Sequence, residues 1–267
     1  MNKLKVVAEY IWTVVLIVAL LVFIIGVAFA IPIWFRPFYY MQIGPLNIVE
    51  ESGFSYEQIL AAYNEVLNYL NFGTPFGVGG LNYSEEGAKH FADCKVLFDL
   101  DTWGVIISAI VLLGGFLLAR FAGVKPKKLG GFDYSFYSGL IGAIIPPVVG
   151  IAIAVDFQNA FTLFHKIFFP GKTNWMFNEK IDEIILILPG EFFMNCGILI
   201  IALWFAACIA LIVRGVIRRK KIKTAVDCCA ACGKKSDTEC LTCEVGKGAE
   251  SKYEMTEDNK YDKNESR

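Results

Sequence analysis

Four long runs of apolar residues dominate the pattern of hydrophobic and polar positions along the chain. They occupy residues 11–35, 102–119, 134–155 and 192–213, and none of them contains a charged side chain. A helix rises ~1.5 Å per residue and the hydrocarbon core of a membrane is ~30 Å thick, so about 20 residues cross it. Because backbone amides in hydrocarbon must pair within their own segment, each run is predicted to be a transmembrane helix.

The first run also has features of a secretory signal peptide. Lys3 and Lys5 precede it, and Ala28-Phe29-Ala30 is similar to a cleavage site. The apolar core of a signal peptide is about 7–15 residues long, whereas this run continues to Phe35. We therefore expect a retained membrane anchor rather than a cleaved leader.

The segment between the first two runs is predicted to contain two helices. Ser55 and Gln58 form a capping-box pattern, apolar residues follow at helical spacing, and Gly73 ends that helix. A second helix is expected to begin after Ser84, with acidic residues in its first turn, and to end near Leu100.

The segment between the third and fourth runs is aromatic. Five phenylalanines surround His165, and Pro170-Gly171 ends their helix; they are Phe157, Phe161, Phe164, Phe168 and Phe169. A short apolar stripe follows, formed by Ile181, Ile184, Ile185 and Leu188. Such a stripe is typical of a helix lying on a membrane surface, and equally of a helix packed on a neighbouring loop.

Basic residues indicate the orientation of the spans. They accumulate before the first span, between the second and third, and after the fourth, as Lys3, Lys5, Arg120, Lys125, Lys127, Lys128, Arg214, Arg218, Arg219, Lys220, Lys221 and Lys223. Lysine and arginine are enriched on the cytoplasmic side of membrane proteins. Both termini are therefore predicted to be cytoplasmic, and the longer loops 36–101 and 156–191 are predicted to face outward.

Histidine is the rarest of the residue types considered for catalysis. The chain contains only His90 and His165, and both lie in segments predicted to face outward. Asp93 follows His90 at a spacing that lets a carboxylate orient an imidazole. Apolar surroundings lower the pKa of an imidazole such as that of His165. Two neutral histidines could act as general base and general acid near pH 7, although a histidine in a loop helix is commonly structural or solvated.

Other catalytic patterns are absent from the sequence. It has no Gly-x-Ser-x-Gly elbow, no His-Glu-x-x-His zinc helix and no phosphate-binding glycine-rich loop. The four apolar runs contain no acidic, basic or histidine residue, which argues against an ion or proton pathway. We expect no cofactor for catalysis and no nucleic-acid partner.

The predicted cytoplasmic tail, 216–267, contains two Cys-x-x-Cys pairs, formed by Cys229, Cys232, Cys240 and Cys243. Their type and number fit a structural zinc site, although the gap between the pairs is shorter than most zinc ribbons use. Palmitoylation of Cys228 or Cys229, or no ligand at all, are the alternatives. From residue 244 onward, polar and charged residues predict disorder.

Three runs in the outward-facing segments together resemble one family. They are Ser84-Glu85-Glu86-x3-His90-x2-Asp93-x-Lys95-x-Leu97-Phe98, Phe164-His165-x2-Phe168-Phe169-Pro170-Gly171-x2-Asn174-Trp175 and Asp182-x6-Pro189-x-Glu191-Phe192. Their order, spacing and predicted topology resemble those of the bacterial lipoprotein intramolecular transacylases, which span the membrane four times. The resemblance covers about 1–215.

The resemblance implies an all-α, four-helix transmembrane bundle over 1–215 with a small helical extracytoplasmic domain, in the bacterial cell membrane. It implies an enzyme that moves the sn-2 acyl chain of a diacylglyceryl lipoprotein to the α-amine of its N-terminal cysteine, leaving a lyso-form lipoprotein. A membrane scaffold or sensor with a metal-binding tail, and an outer-leaflet lipid hydrolase, are the alternatives.

The resemblance also implies roles for individual residues within this membrane-lipid environment. His90 and His165 would be catalytic. Supporting or orienting residues would be Asp93, Lys95, Asp182 and Glu191. Acyl-chain contacts would come from Phe161, Phe164, Phe168, Phe169 and Trp175.

Overall fold

The computed structural model describes residues 3–231, and this part of the chain contains ten helices and no β-strand. The helices are α1 Lys3–Trp34, α2 Pro37–Tyr40, α3 Ile48–Ser52, α4 Tyr56–Phe72, α5 Glu85–Phe121, α6 Tyr134–Gly142, α7 Ile145–Val155, α8 Phe157–Phe168, α9 Ile184–Ile187 and α10 Gly190–Ala231. Four stretches are long and apolar enough to cross a membrane, namely Val6–Trp34, Glu85–Phe121, Tyr134–Val155 and Gly190–Lys221. The predicted all-α fold with four spans is confirmed.

The first helix is an integral part of the bundle. It packs against α5, α6 and α10, and it buries Leu16 and Ala28 in these contacts. The first span therefore contributes to the packing of the other three, while its retention after synthesis stays a prediction.

Small residues bring the spans close together. An added Cβ at Gly139 of α6 would lie 2.7 Å from the backbone oxygen of Cys208 in α10. A Cβ at Gly115 of α5 would lie 2.8 Å from Leu16 of α1. Helices in membranes associate through such close packing, because lipid chains provide no hydrophobic drive toward association. The opposite faces expose large apolar side chains suited to lipid, including Val14, Ile110, Phe116, Val148 and Ile151.

The third span is broken in its middle, which the apolar pattern did not predict. α6 ends at Gly142 and α7 begins at Ile145, with Pro146 and Pro147 in its first turn. Proline lacks the amide proton that a continuing helix needs, and it disfavours helical geometry in the preceding residue. The prolines therefore divide the span into two shorter helices.

The second span is longer than predicted, because the helix expected to end near Leu100 continues to Phe121 as the single helix α5. No glycine or proline lies between 88 and 103 to interrupt it. A 37-residue helix is ~55 Å long, which exceeds a ~30 Å hydrocarbon core. Every charge of α5 except Arg120 lies in 85–101, so this part projects beyond the span at 102–119.

The fourth span also extends further than predicted. α10 continues to Ala231, so the beginning of the tail at 216–231 is helical. The remainder of that tail lies outside the described residues.

Residues 36–101 and 156–189 pack together at one end of the bundle, and we call this layer the cap. Its core joins Ile59 and Val66 of α4 to Ile184 and Ile187 of α9. The Tyr39 hydroxyl donates to the Ile187 carbonyl at 2.7 Å. The short apolar stripe therefore packs on the neighbouring loop, because its central residues are buried inside the cap.

The capping prediction for α4 is confirmed. The Ser55 hydroxyl accepts from the Gln58 amide at 3.3 Å, and the Gln58 side chain accepts from the Ser55 amide at 2.9 Å. Gly73 ends the helix with φ of 68°, a left-handed conformation that glycine adopts without strain.

The basic segments lie together at the other end of the bundle. The Lys127 amide donates to Thr13 Oγ1 of α1 at 2.8 Å, which anchors the α5–α6 connection. Arg218 of α10 pairs with Asp133 at 2.8 Å. The cap and the basic segments thus occupy opposite ends of the spans.

Candidate active site

His90 and His165 lie side by side in the cap, with ring centroids 5.7 Å apart and ring planes inclined by 34°. His90 is in the second turn of α5, and His165 is in the last turn of α8. Both are buried, with 5% and 6% of their surfaces exposed. Two helices distant in sequence therefore bring the two histidines of the chain into one site.

The hydrogen bonding of His165 fixes its tautomer. Its Nδ1 lies 2.8 Å from the carbonyl oxygen of Phe161, one turn earlier in α8. A carbonyl can only accept, so Nδ1 carries the proton, and Nε2 is the basic atom of the neutral ring. Burial lowers the pKa of His165, and the bond to Phe161 opposes this effect only in part. His165 is therefore neutral near pH 7.

Aromatic side chains enclose the His165 ring. Trp175 stacks on it at a centroid distance of 4.6 Å, and Phe161 lies at 4.2 Å. Phe164 is 5.4 Å away, and Phe169 lies near both histidines, at 5.7 Å from His165 and 5.0 Å from His90. Four of the five predicted acyl-chain contacts thus surround the histidines. Phe168, which is 47% exposed, packs on Phe164 instead.

His90 has one ring nitrogen with a partner and one without. Its Nε2 lies 3.4 Å from Sγ of Cys94, the residue one turn later in α5. Its Nδ1 is buried and has no hydrogen-bond partner among the described residues. Burial raises the pKa of Cys94 to about 12, so the thiol is protonated and can donate to Nε2. With Nε2 accepting, Nδ1 of the neutral ring is an unpaired N–H donor.

Burial also determines the charge of His90. It lowers the pKa of His90 to about 4, and the neighbouring His165 acts in the same direction. The negative charge of Asp93 opposes the shift without reversing it. The site therefore holds two neutral imidazoles near pH 7, one with a basic nitrogen at Nε2 of His165 and the other with an Nδ1 at His90 that has no partner among the described residues.

The family model described as lipoprotein intramolecular transacylase Lit matches residues 14–193, which include both histidines. The chain belongs to the lipoprotein intramolecular transacylase family. The family is one of enzymes that act on lipoproteins, and the resemblance noted in the sequence is confirmed.

Solved structures of the transacylase family share this fold. The chain is similar to the membrane integral lipoprotein intramolecular transacylase Lit from Bacillus cereus, with a TM-score of 0.70 and 24% identity. The match covers 80% of this chain and 98% of the other. A variant of the same protein with one histidine replaced by alanine gives a TM-score of 0.63 at 23% identity, covering 80% and 96%. The shared fold is that of an integral membrane protein.

An uncharacterised protein of Aquifex aeolicus is also similar. It is 24% identical over 141 residues, which make up 53% of this chain. The chain spans 60% of the length of that relative.

Among the described residues Asp93 forms hydrogen bonds with the 170–175 loop and none with His90, so its predicted orienting role stays a prediction. Its carboxylate pairs with Lys172 and accepts from Asn174 Nδ2 at 3.0 Å. Burial opposes the effect, but the bonds from Lys172 and Asn174 hold the pKa of Asp93 below its ordinary value. The Asp93 carboxylate, three residues after His90, contacts the 170–175 loop. Cys94, four residues after His90, contacts the His90 imidazole. Asp93 thus attaches to α5 the loop that carries Trp175.

The other predicted supporting residues do not form hydrogen bonds with the histidines. Lys95 bonds Asp99 and the Leu70 carbonyl, on the side of α5 that faces α4. Glu191 is exposed in the first turn of α10. Neither residue contacts the histidines in the part of the chain that the structure describes, and their supporting role stays a prediction.

Asp182 acts indirectly. It is buried, and its Oδ1 accepts from the Ser84 amide at 2.7 Å, directly before α5 begins. A Cβ at Gly87 would lie 2.5 Å from the same oxygen, so this close approach requires glycine. Asp182 anchors the start of the helix that carries His90.

Cys94, Phe177 and Lys172 were missed as site residues. Cys94 could have been found from its i+4 spacing to His90. Phe177 packs edge-on against His90 at 5.5 Å, and Lys172 pairs with Asp93 across the cap. No local pattern identifies these two, since both contacts join segments about 80 residues apart.

The predicted tail zinc site stays a prediction. Cys232, Cys240 and Cys243 lie outside the described residues, and Cys229 is near the end of α10. Within the part of the chain that the structure describes, no group of three or more His, Cys, Asp or Glu side chains could hold a metal ion.

Proposed function

We propose that this transacylase moves the sn-2 acyl chain of a diacylglyceryl lipoprotein to the α-amine of the lipoprotein's N-terminal cysteine. The observation that carries the proposal is the neighbouring pair of neutral, buried histidines in the cap, with ring centroids 5.7 Å apart. The product is a lyso-form lipoprotein with one ester-linked chain on glycerol and one amide-linked chain on cysteine.

His165 is the general base in this proposal. The α-amine has an ordinary pKa of about 7.7–8, so its ammonium form first releases one proton to water. His165 then takes a second proton, from the neutral amine as it attacks the ester. Nε2 of His165 has the free lone pair, because Nδ1 donates to Phe161. A positioned base of this kind contributes about 10²–10⁴-fold to the rate.

His90 stabilises the oxyanion. As the amine adds to the ester carbonyl carbon, negative charge develops on the carbonyl oxygen. The unpaired Nδ1–H of His90 is the donor available to it, and Cys94 holds the ring tautomer by donating to Nε2.

The bond changes balance within one substrate molecule. The new C–N bond forms, and the bond from the carbonyl carbon to the sn-2 glyceryl oxygen breaks. The proton taken by His165 Nε2 returns to that leaving oxygen. Because amine and ester already belong to one molecule, holding them ~3–3.5 Å apart supplies much of the rate.

The aromatic enclosure favours acyl transfer over hydrolysis. Phe161, Phe169 and Trp175 cover His165 and leave little room for water. Exclusion of water protects an activated ester from hydrolysis and strengthens the interactions that stabilise the oxyanion. The same rings provide an apolar surface for the migrating chain.

The cap faces outward in this proposal, where the lipid-modified cysteines of lipoproteins are found. The basic segments around Lys127 and Arg218 lie at the opposite end of the spans. Basic residues near span ends favour the cytoplasmic side, which places both termini inside.

Mass spectrometry of one lipoprotein's N-terminal peptide tests the proposed reaction. A bacterial strain lacking N-acylation activity would be compared with and without this protein. We expect a mass-neutral change in which the cysteine becomes N-acylated and glycerol keeps one chain. Loss of one chain without N-acylation would identify a hydrolase instead, and an unchanged lipid form would contradict both activities.

A further inference from the structure

A polar cleft of about 450 Å³ opens on the surface of the cap, beside the histidine site. One wall is a face of α5, and the other is the loop that follows α8; the lining residues are Glu86, Lys89, Ala92, Asp93, Gly171, Lys172, Thr173 and Asn174. Its size lies within the usual range for binding sites. No residue assigned to the acyl-transfer chemistry lines it.

Two residues in the walls of the cleft are close in sequence to the histidine site. Asp93 lies one turn beyond His90 on α5. Asn174 directly precedes Trp175, which stacks on His165. The cleft therefore lies beside the histidine site, along the two segments that carry Asp93 and Asn174.

The charges that line the cleft compensate one another. Lys89 pairs with Glu86 at 2.9 Å, and Lys172 pairs with Asp93. These pairs leave a polar surface without net charge. Such a surface suits neither an acyl chain, which needs apolar contacts, nor an anionic headgroup, which needs uncompensated positive charge.

One group on the wall has hydrogen-bonding capacity to spare. Asn174 donates to Asp93 through Nδ2, which orients its amide. Its Oδ1 is buried and has no donor within the part of the chain that the structure describes. A buried acceptor without a donor is unfavourable, and a backbone N–H is the donor that every non-proline peptide residue offers.

We infer that this cleft binds the polypeptide segment that follows the lipid-modified cysteine of the substrate. The inference rests on the proposed function, since it requires the cysteine amine to lie at the histidines. The segment enters as an extended chain, with backbone groups facing Asn174 and Thr173 and side chains exposed to solvent. Recognition of backbone rather than side chains lets one cleft accept lipoproteins of different sequence.

A substrate series of increasing peptide length tests the inference. The purified protein in detergent would act on a diacylglyceryl cysteine amide and on the same lipid attached to a five-residue peptide. We expect kcat/KM to rise about tenfold with the longer peptide, the effect of one or two net hydrogen bonds. Ala92→Trp, which fills the cleft from α5, is expected to reduce this ratio to about one.

Ala61→Trp is the matched control, because Ala61 is an exposed alanine on α4 outside the cleft. It is expected to keep the tenfold ratio. Equal rates for both substrates with the unmodified protein would overturn the inference, as would an unchanged ratio in Ala92→Trp. Failure to acylate either substrate would instead contradict the proposed function, so the two failures are distinguishable.

Discussion

Trp175 stacks on the imidazole of His165, with ring centroids 4.6 Å apart and ring planes inclined by 29°. Its indole N–H donates to the Lys172 carbonyl at 3.0 Å, and Lys172 in turn pairs with Asp93 of α5. The 172–175 segment is thus attached to the helix that carries His90 while it covers the ring of the other histidine. We therefore predict that activity depends on a contact made by a residue outside the two helices that carry the histidines.

Trp175→Ala is expected to lower kcat/KM at least about tenfold, because it removes an aromatic contact worth ~0.5–1.5 kcal/mol and admits water to His165. Trp175→Phe keeps a stacking ring and is expected to stay within about threefold of the unmodified protein. N-acyl product from a diacylated lipopeptide is the readout. Trp34, which packs edge-on against Phe72, provides the control Trp34→Ala. Equal losses in Trp175→Ala and Trp34→Ala would contradict a specific role for the stack.

Asp93→Ala and Lys172→Ala are expected to have similar, moderate effects, since the two side chains form one link between α5 and the loop. Lys172 is 47% exposed, so the pair contributes only about 0–1 kcal/mol. The double variant is expected to lose little more than Asp93→Ala alone, which also frees Asn174. Product formation by all three variants measures this coupling. A hundredfold loss confined to Asp93→Ala would show that Asp93 orients His90 directly.

The stability of the cap is expected to fall in acid because His90 is buried as a neutral ring. Burial lowers the pKa of His90 to about 4, whereas its ordinary value is 6.5. The stability of the folded protein is unaffected by His90 above pH 6.5 and decreases as the pH falls toward 4. The reason is that His90 of the unfolded chain is protonated at a higher pH than His90 of the folded protein. The difference between these pKa values corresponds to about 3 kcal/mol.

Thermal unfolding in detergent at pH 7 and pH 4.5 measures this loss. Comparison with His90→Gln isolates the contribution of His90 to the pH dependence, because the carboxylates titrate in both proteins. The variant is expected to lose less stability between the two pH values. An identical pH dependence in the two proteins would show that His90 is not buried as a neutral ring.

Gly139→Ala is expected to lower the unfolding temperature, since its Cβ would lie 2.7 Å from the Cys208 backbone oxygen and overpacking typically costs about 1–3 kcal/mol. Gly114→Ala is the matched control, because no atom lies within 4 Å of a Cβ added there. Alanine is a better helix former than glycine, so the control is expected to be neutral or stabilising. A Gly139→Ala protein as stable as Gly114→Ala would contradict the close α6–α10 contact.

Most of the bundle could be predicted from the sequence because lipid imposes a simple condition on composition and length. The runs at 102–119 and 192–213 needed only to be apolar and long enough to span. Helix ends were harder to predict. The uninterrupted α5 depends on the lack of a breaker near Asp101, and the break before Ile145 depends on two prolines within an apolar run.

The site was predictable at the level of residue type and compartment only. His90 and His165 stood out because the chain has no other histidine. The bond from His165 to Phe161 and the contact of His90 with Cys94 depend on ring orientation, which spacing does not specify. The pairing of Asp93 with Lys172 depends on how two distant segments fold against each other.

The most direct test of the account measures N-acyl product formed by purified His165→Asn and His90→Asn from a diacylglyceryl cysteine peptide. An asparagine amide can replace the Nδ1–H donor of histidine but has no basic nitrogen. His165→Asn is therefore expected to lose activity by ~10²–10⁴-fold, because it lacks the general base. His90→Asn is expected to retain more activity, because the asparagine amide can still donate to the oxyanion. Full N-acylation by His165→Asn would contradict the central claim.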